Sequence, residues 1–427
     1  MTTSELAPDT LPTTRPAERF APLFARIAEG VVAREQDHEL PRAQVRELLA
    51  AGFGRLRLPV AEGGEGLDLV EFTDLLVDLA TADSALPQVF RGHIAWVEQV
   101  LSLPPGEHRA RWVERIARGE LVGNAWSEVG DGVTGEQQTV VTTRDGRTSV
   151  SGRKYYTTGT IFADWTDATA RRATGADGLD GGFEVVTALV PVHAEGVSVS
   201  DDWDGFGQQL TGTGTLVLDD VEVDPADVAP FTERFRYQTA LYQLVLLAVQ
   251  AGIAAAVERD TGAQVRARTR SYTHGLAPLV RNDAQVLSVV GEISATAFTA
   301  RALVRAAAQA VQAAADTAHL PGTAADREAN VLAEIRTAQA QVVLSESVPR
   351  AATLLFNTLG ASGTSRARDL DRHWRNARTV ASHNPVIYKQ RIVGDFSVNG
   401  TEPPFVWDIG THASVDPAAV RAQESRR

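Results

Sequence analysis

The chain contains no cysteine, which excludes disulfides, thiolate metal sites and thiol nucleophiles together. It also lacks a surplus of positive charge. Its 41 Lys and Arg stand against 54 Asp and Glu, a net charge of −13, which argues against nucleic acid or an anionic membrane as the main partner. The 9 histidines are scattered without a His-x-x-x-His pair, so no metal site is expected. Gly63-Gly64-Glu65-Gly66 lacks the Lys-Ser/Thr of a phosphate loop, and Ser127 is not set in a Gly-x-Ser-x-Gly elbow. Residues 1–16 are polar and Thr/Pro-rich, without the basic and apolar blocks of a signal peptide. The most apolar run, Leu241 to Val257, carries Gln243 and Gln250 and reads as a buried helix rather than a membrane span. A cytoplasmic protein is expected.

What is present is ordinary globular composition, 44% hydrophobic and 22% charged over 427 residues, enough for several packed domains. After a disordered lead-in over 1–17, residues 18–121 read as helical. Leu23, Ile27 and Val31 recur at helical spacing, Pro41 opens a second helix that Gly52 stops, and a further helix runs from Asp68 to Ala82. Over 122–230 the texture turns to short β-branched runs broken by Asp-Gly and Thr-Gly, with Asp145-Gly146 a hairpin turn. That is a central β-barrel or sandwich domain. Alanine-rich helix formers then fill Ala240 to Arg270, Asp283 to Ala318 and Ala324 to Leu359. They build a C-terminal four-helix bundle over 231–411, followed by a tail over 412–427. The order helices, strands, helices is a mixed α and β (α+β) class with no βαβ alternation, hence no nicotinamide-binding Rossmann unit.

Four stretches carry a resemblance to the acyl-CoA dehydrogenase family from about residue 20 to about residue 410. They are Gly52-Phe53-Gly54 through Gly63-Gly64-Glu65-Gly66-Leu67, Gly119 through Glu128, Ser151 through Gly159, and Asp371 through Arg378. The resemblance implies the acyl-CoA dehydrogenase fold. That fold serves dehydrogenases, oxidases and monooxygenases, so the site must decide the chemistry.

Dehydrogenation of an acyl thioester needs a carboxylate base over the α-carbon. Where family members place that Glu, this chain reads Ala381-Ser382-His383-Asn384-Pro385-Val386-Ile387-Tyr388-Lys389, and Arg236 to Val257 holds no acidic residue either. The chain resembles instead the two-component monooxygenases of the dibenzothiophene monooxygenase type. Their Gly-Asn, Thr/Ser-Gly and His-Asx-Pro motifs match Asn124, Thr158 and His383, which the resemblance makes catalytic. In that branch reduced flavin and O2 form a C4a-(hydro)peroxide, which donors must hold and water must not reach. His383 is expected to move a proton near neutral pH.

For the flavin, the resemblance points to Ser127 beside Trp126, to Trp203 and to Thr213 in the Thr211–Gly214 turn. Arg270, from a neighbouring subunit of a homotetramer, is the expected phosphate partner. His93 and Trp96 are expected to line the substrate cavity. The cofactor reading is reduced FMN from a separate NAD(P)H:flavin reductase, with FAD as the alternative. The substrate is a small apolar or aromatic molecule oxygenated at S, N or an electron-rich C. The rival readings are an FAD-dependent acyl-CoA dehydrogenase or oxidase with a relocated base, an N-oxygenase of an amino sugar nucleotide, and a flavin-free scaffold.

Overall fold

The computed structural model describes residues 15–129, 137–174 and 182–406. Most of the expected lead-in and the whole of the expected tail over 412–427 lie outside the described residues. Six helices come first: α1 (Pro16–Glu29), α2 (Val31–Asp37), α3 (Arg42–Ala50), α4 (Leu69–Ala82), α5 (Leu86–Ser102) and α6 (Glu107–Ala117). Their boundaries have local causes. Gly52, at φ +87°, turns the chain just past α3. Asp68 caps α4 by accepting from the Glu71 amide at 2.7 Å, and Glu71 reaches back to the Asp68 amide.

Among the described residues eight strands follow: β1 (Val122–Ala125), β2 (Val140–Arg144), β3 (Arg147–Lys154), β4 (Trp165–Ala173), β5 (Phe183–Pro191), β6 (Val197–Val199), β7 (Leu216–Glu222) and β8 (Val228–Pro230). They form one sheet in the order β6-β7-β3-β2-β4-β5-β8, with β1 added parallel to β4. Asp145 and Gly146 both take positive φ, 52° and 79°, between the paired Arg144 and Arg147. This is the two-residue turn whose twist suits a hairpin. Val141, Val150, Ala168, Val186, Ala188, Leu216 and Val221 fill the domain's own core.

The chain ends in long helices: α7 (Gln238–Ala267), α8 (Ala284–Asp316), α9 (Ala324–Asn357), α10 (Arg372–Ser382) and α11 (Val386–Asn399). Buried on nearly every side from Ala240 to Val257, α7 is the axis on which α4, α5, α8, α9 and α10 pack. One hydrophobic core therefore runs without a break from the first helices into the bundle. Between it and the sheet lies a smaller core of Trp96, Val97, Val100, Trp112, Ile116, Val122 and Leu189. Helix α5 contributes to both, so it is the wall between the helical body and the β domain.

The Asp371 to Arg378 stretch has a structural task. Arg372 and His373 bind Asp260 on α7 at 2.6 and 2.9 Å. The Asn376 side chain donates to Glu35 at 2.7 Å and accepts from the Gln208 amide at 2.6 Å. Gln250 donates to the Ala377 carbonyl at 3.0 Å. A single helix face thus ties α2, α7 and a β-domain loop together, and it sets the position of the α10 terminus.

Candidate active site

The first wall is built around β1. Helix α5 crosses it so closely that a Cβ on Gly92 would lie 2.8 Å from the Asn124 amide nitrogen. Glycine permits this approach, and Asn124 is buried beneath the helix as a result. Its side-chain Oδ1 is enclosed and has no hydrogen-bond partner. Such an oxygen costs about 1–3 kcal/mol if left unpaired, so it marks a place where a donor is to be received.

The β-domain turns form the second wall. The Thr158 hydroxyl lies 2.8 Å from that of Thr213, which lies 2.7 Å from that of Thr211. Both the amide and the hydroxyl of Thr157 donate to the Gly214 carbonyl, at 3.0 and 2.9 Å. Gly159, at φ +81°, sits against Val89 of α5, where a Cβ would collide with the carbonyl oxygen. Ser127 bridges to this wall, its carbonyl accepting from the Tyr155 amide at 2.9 Å. The Trp203 ring stands edge-on to Tyr156 at 5.8 Å, its Nε1 donating to the Gly207 carbonyl at 2.9 Å. Ser127, Thr158, Trp203 and Thr213 are therefore brought to one wall.

Below that wall lies an ion pair that sequence reasoning missed. The Lys154 ammonium, fully enclosed, donates to Glu128 at 2.6 Å, to Gln137 at 2.8 Å and to Thr169 at 3.1 Å. Burial pushes Lys154 down to about 8, against the pull of Glu128.

The third wall is helical. His383 caps the C-terminus of α10, and the turn after it is tethered on both sides. Asn384 donates to Gln243 on α7 at 2.8 Å, and Gln341 on α9 donates to the Asn384 carbonyl at 2.7 Å. His383 is accessible to solvent, yet protein surrounds it closely enough that burial, and then the charge of Arg91, push its ring down to about 3. This corrects the expectation of a histidine poised near neutral pH. His383 is held uncharged, and its neutral imidazole offers one donor and one acceptor.

Two other expectations are also corrected. His93 lies in the core, its Nε2 donating to the Gly54 carbonyl at 2.8 Å and its Nδ1 accepting from the Val122 amide at 3.3 Å. Both nitrogens are spent on backbone, so the ring braces α5 and has none left for a substrate. Trp96 packs edge-on against Trp112 at 4.9 Å in the junction core, away from the β-domain turns. Arg270 is exposed beyond α7 and meets none of the other candidates within one chain; its carbonyl accepts from Arg268 at 3.1 Å.

Sequence reasoning also missed Arg91 and Tyr242. The Arg91 guanidinium lies 5.4 Å from the Tyr242 ring, which stands edge-on to Trp126 at 5.1 Å. The Arg234 guanidinium lies over the Trp126 ring at 5.2 Å and pairs with Asp167 at 3.0 Å. The available signal was the charge in Val89-Phe90-Arg91-Gly92-His93-Ile94, an arginine inside an otherwise apolar helical stretch.

The buried histidines make a stability prediction. Burial lowers His93 from 6.5 to about 4, so between those values the unfolded chain binds a proton that the folded chain refuses. The stability is intact above pH 6.5 and is lost as pH falls toward 4. By pH 5 the loss is about 2 kcal/mol for this ring. Thermal unfolding at pH 7 and pH 5 should show that excess loss in the natural protein relative to His93→Gln.

Residues 18–120 match the acyl-CoA dehydrogenase N-terminal domain and residues 244–387 match its C-terminal domain. The chain is 28% identical to a probable FMNH2-dependent monooxygenase, SfnC, of Pseudomonas putida, over 91% of this chain and 96% of that protein. Its fold is similar to that of the methanesulfinate monooxygenase MsuC from Pseudomonas fluorescens, with TM-score 0.82 and 26% identity, covering 92% of this chain and 99% of the other. It is similar too to TdsC from Paenibacillus sp. A11-2, solved with FMN and indole. There the TM-score is 0.81 and the identity 26%, over 90% of this chain and 97% of the other. The chain belongs to the acyl-CoA dehydrogenase family and groups with its flavin-dependent monooxygenases.

Proposed function

We propose that the chain is the oxygenase component of a two-component monooxygenase, fed with reduced FMN by a separate NAD(P)H:flavin reductase. One oxygen atom of O2 goes to sulfur, nitrogen or an electron-rich carbon of a small aromatic or apolar substrate; the other leaves as water. The observation that carries this reading is the end of α10, where His383 stands and the chain from Ala381 to Lys389 holds no acidic residue. Dehydrogenation of an acyl thioester requires a carboxylate base there.

The residues present fit a flavin. Asn124 Oδ1 is an enclosed acceptor without a donor, on the strand that Gly92 lets α5 approach. Ser127, Thr158, Trp203 and Thr213 would hold the ring side and Arg270 of a second copy the phosphate. When bound, reduced FMN supplies two electrons and the activation of O2. Asn124 and the Thr158 hydroxyl orient by hydrogen bonding, and the neutral His383 imidazole relays a proton between its nitrogens.

A homotetramer is part of this proposal, and α8 supports it. Helices α7 and α8 are both long and apolar enough to cross a membrane by length and composition, and over the most apolar 18-residue stretch of each, 89% of α7 but 17% of α8 is buried inside the protein. Leu287 and Phe298 are exposed along α8, a face suited to other copies of the chain. A cytoplasmic location accompanies the reading.

The protein titrated with FMN should bind it, and with a flavin reductase, NADH and indole or dibenzothiophene it should form oxygenated product. Bleaching of bound flavin by an acyl-CoA without oxygen, with no oxygenated product under air, would overturn the proposal.

A further inference from the structure

Among the described residues four arginines are more than nine-tenths buried: Arg34, Arg91, Arg234 and Arg372. Three of them have a carboxylate. Arg34 meets Asp83 at 2.9 Å, Arg234 meets Asp167 at 3.0 Å and Arg372 meets Asp260 at 2.6 Å. Arg91 has none among the described residues. Its Nε is enclosed without an acceptor, and the face of the Tyr242 ring 5.4 Å away is a weak substitute for a counter-ion. Burial lowers its proton affinity only to about 10, so the guanidinium keeps its charge at neutral pH. A buried cation without an anion is a costly arrangement that folding alone does not call for.

Its position shows what would complete it. Arg91 precedes Gly92, the residue that lets α5 lie against Asn124, and its charge is felt at His383. The Tyr242 hydroxyl is also enclosed without a partner. Tyr242, Trp126 and Phe231 make a run of aromatic edges, with Trp126 5.1 Å from Tyr242 and 5.5 Å from Phe231. Donors at one end of an aromatic wall are what an aromatic body bearing an oxyanion requires.

We infer that the substrate of this site is an organic anion, whose carboxylate or sulfur oxyanion sits on Arg91 and Tyr242 with its oxidisable atom toward His383 and Asn124. The inference rests on the monooxygenase reading and narrows its substrate class. Arg91 presents a planar fork of donors that takes two oxyanion oxygens at once. An uncharged analogue would leave the guanidinium buried and unpaired, so the site selects for the charge.

The test is calorimetric titration of the FMN-loaded protein with benzoate and benzenesulfinate, beside the uncharged benzamide. Either anion should bind at least tenfold more tightly than benzamide. Arg91→Gln should weaken the anions by about 10- to 100-fold and leave benzamide and FMN unchanged, and Arg91→Lys should keep part of the preference. Without ligand, Arg91→Gln should melt at or above the temperature of the natural protein, and benzoate should raise the melting temperature of the natural protein only. Equal binding of benzamide and benzoate, no binding of either anion, or a loss of FMN rather than anion affinity in Arg91→Gln would overturn the inference. Oxygenation of neutral substrates in the same preparations is scored separately. If it persists while the anions fail, the anion site falls and the monooxygenase reading stands.

Discussion

Replacing His383 with alanine should lower oxygenation turnover by about 10²- to 10⁴-fold, the range spanned by removing a positioned proton-transfer group, while FMN affinity stays within about twofold. The separation follows from the architecture. His383 belongs to the helical wall, held through Asn384 by Gln243 and Gln341, whereas the flavin candidates lie on the β-domain wall. The effect should come with a distinctive pH dependence. Burial and the charge of Arg91 keep the ring neutral down to about pH 3. The kcat/KM profile should therefore show no limb from this ring near 6.5, where an unperturbed histidine titrates. Steady-state rates between pH 5 and 8, with reduced FMN supplied in excess, measure both. Turnover in the alanine variant within threefold of the natural protein would remove His383 from the chemistry.

Removing Glu128 should have the largest effect on stability. Its carboxylate accepts from the enclosed Lys154 ammonium at 2.6 Å, from the Gln138 and Thr139 amides at 2.6 and 3.0 Å, and from the Thr139 hydroxyl at 2.7 Å. Glu128→Ala strands the ammonium between two neutral oxygens and frees two amides. Breaking a buried pair on one side costs about 3–5 kcal/mol. The pair also joins the end of β1 to the end of β3, where the Ser127–Tyr155 bridge begins, so FMN affinity should fall with it. The sign with pH is fixed. Lys154 is pushed down to about 8 even with its partner present, so raising the pH toward 9 removes the stranded charge and narrows the deficit. Glu128→Leu combined with Lys154→Met should recover most of the loss, since neither charge is then left alone. Denaturant unfolding of the single and double variants at pH 7 and pH 9 checks all three statements. An equal deficit at both pH values would assign it to something other than Lys154.

The long helices were legible because their signals are local. The alanine-rich runs read as Ala240 to Arg270, Asp283 to Ala318 and Ala324 to Leu359 appear as α7, α8 and α9 within a few residues. Asp145-Gly146 makes its turn for a reason contained in two residues. For the site, motifs pointed to Asn124, Thr158 and His383, but a motif carries no information on the packing around each position. His93 was misread because a histidine on a helix looks the same whether its nitrogens meet a cavity or the backbone of Gly54 and Val122, and that is settled by segments 39 and 29 residues away. His383 was expected to titrate near neutrality because Arg91 lies almost three hundred residues earlier in the chain. Arg91 itself stands out only once the carboxylates beside the other buried arginines have been located, which is knowledge of packing rather than of order.

Given reduced FMN, this chain alone is expected to transfer one atom of O2. The most direct measurement is a single turnover with chemically reduced FMN and isotopically heavy dioxygen, no reductase present, followed by mass spectrometry of the product. One heavy oxygen atom per product molecule is predicted, with Asn124→Ala giving mainly peroxide and little labelled product. Product without the label, or a desaturated product with no oxygen added, would contradict it.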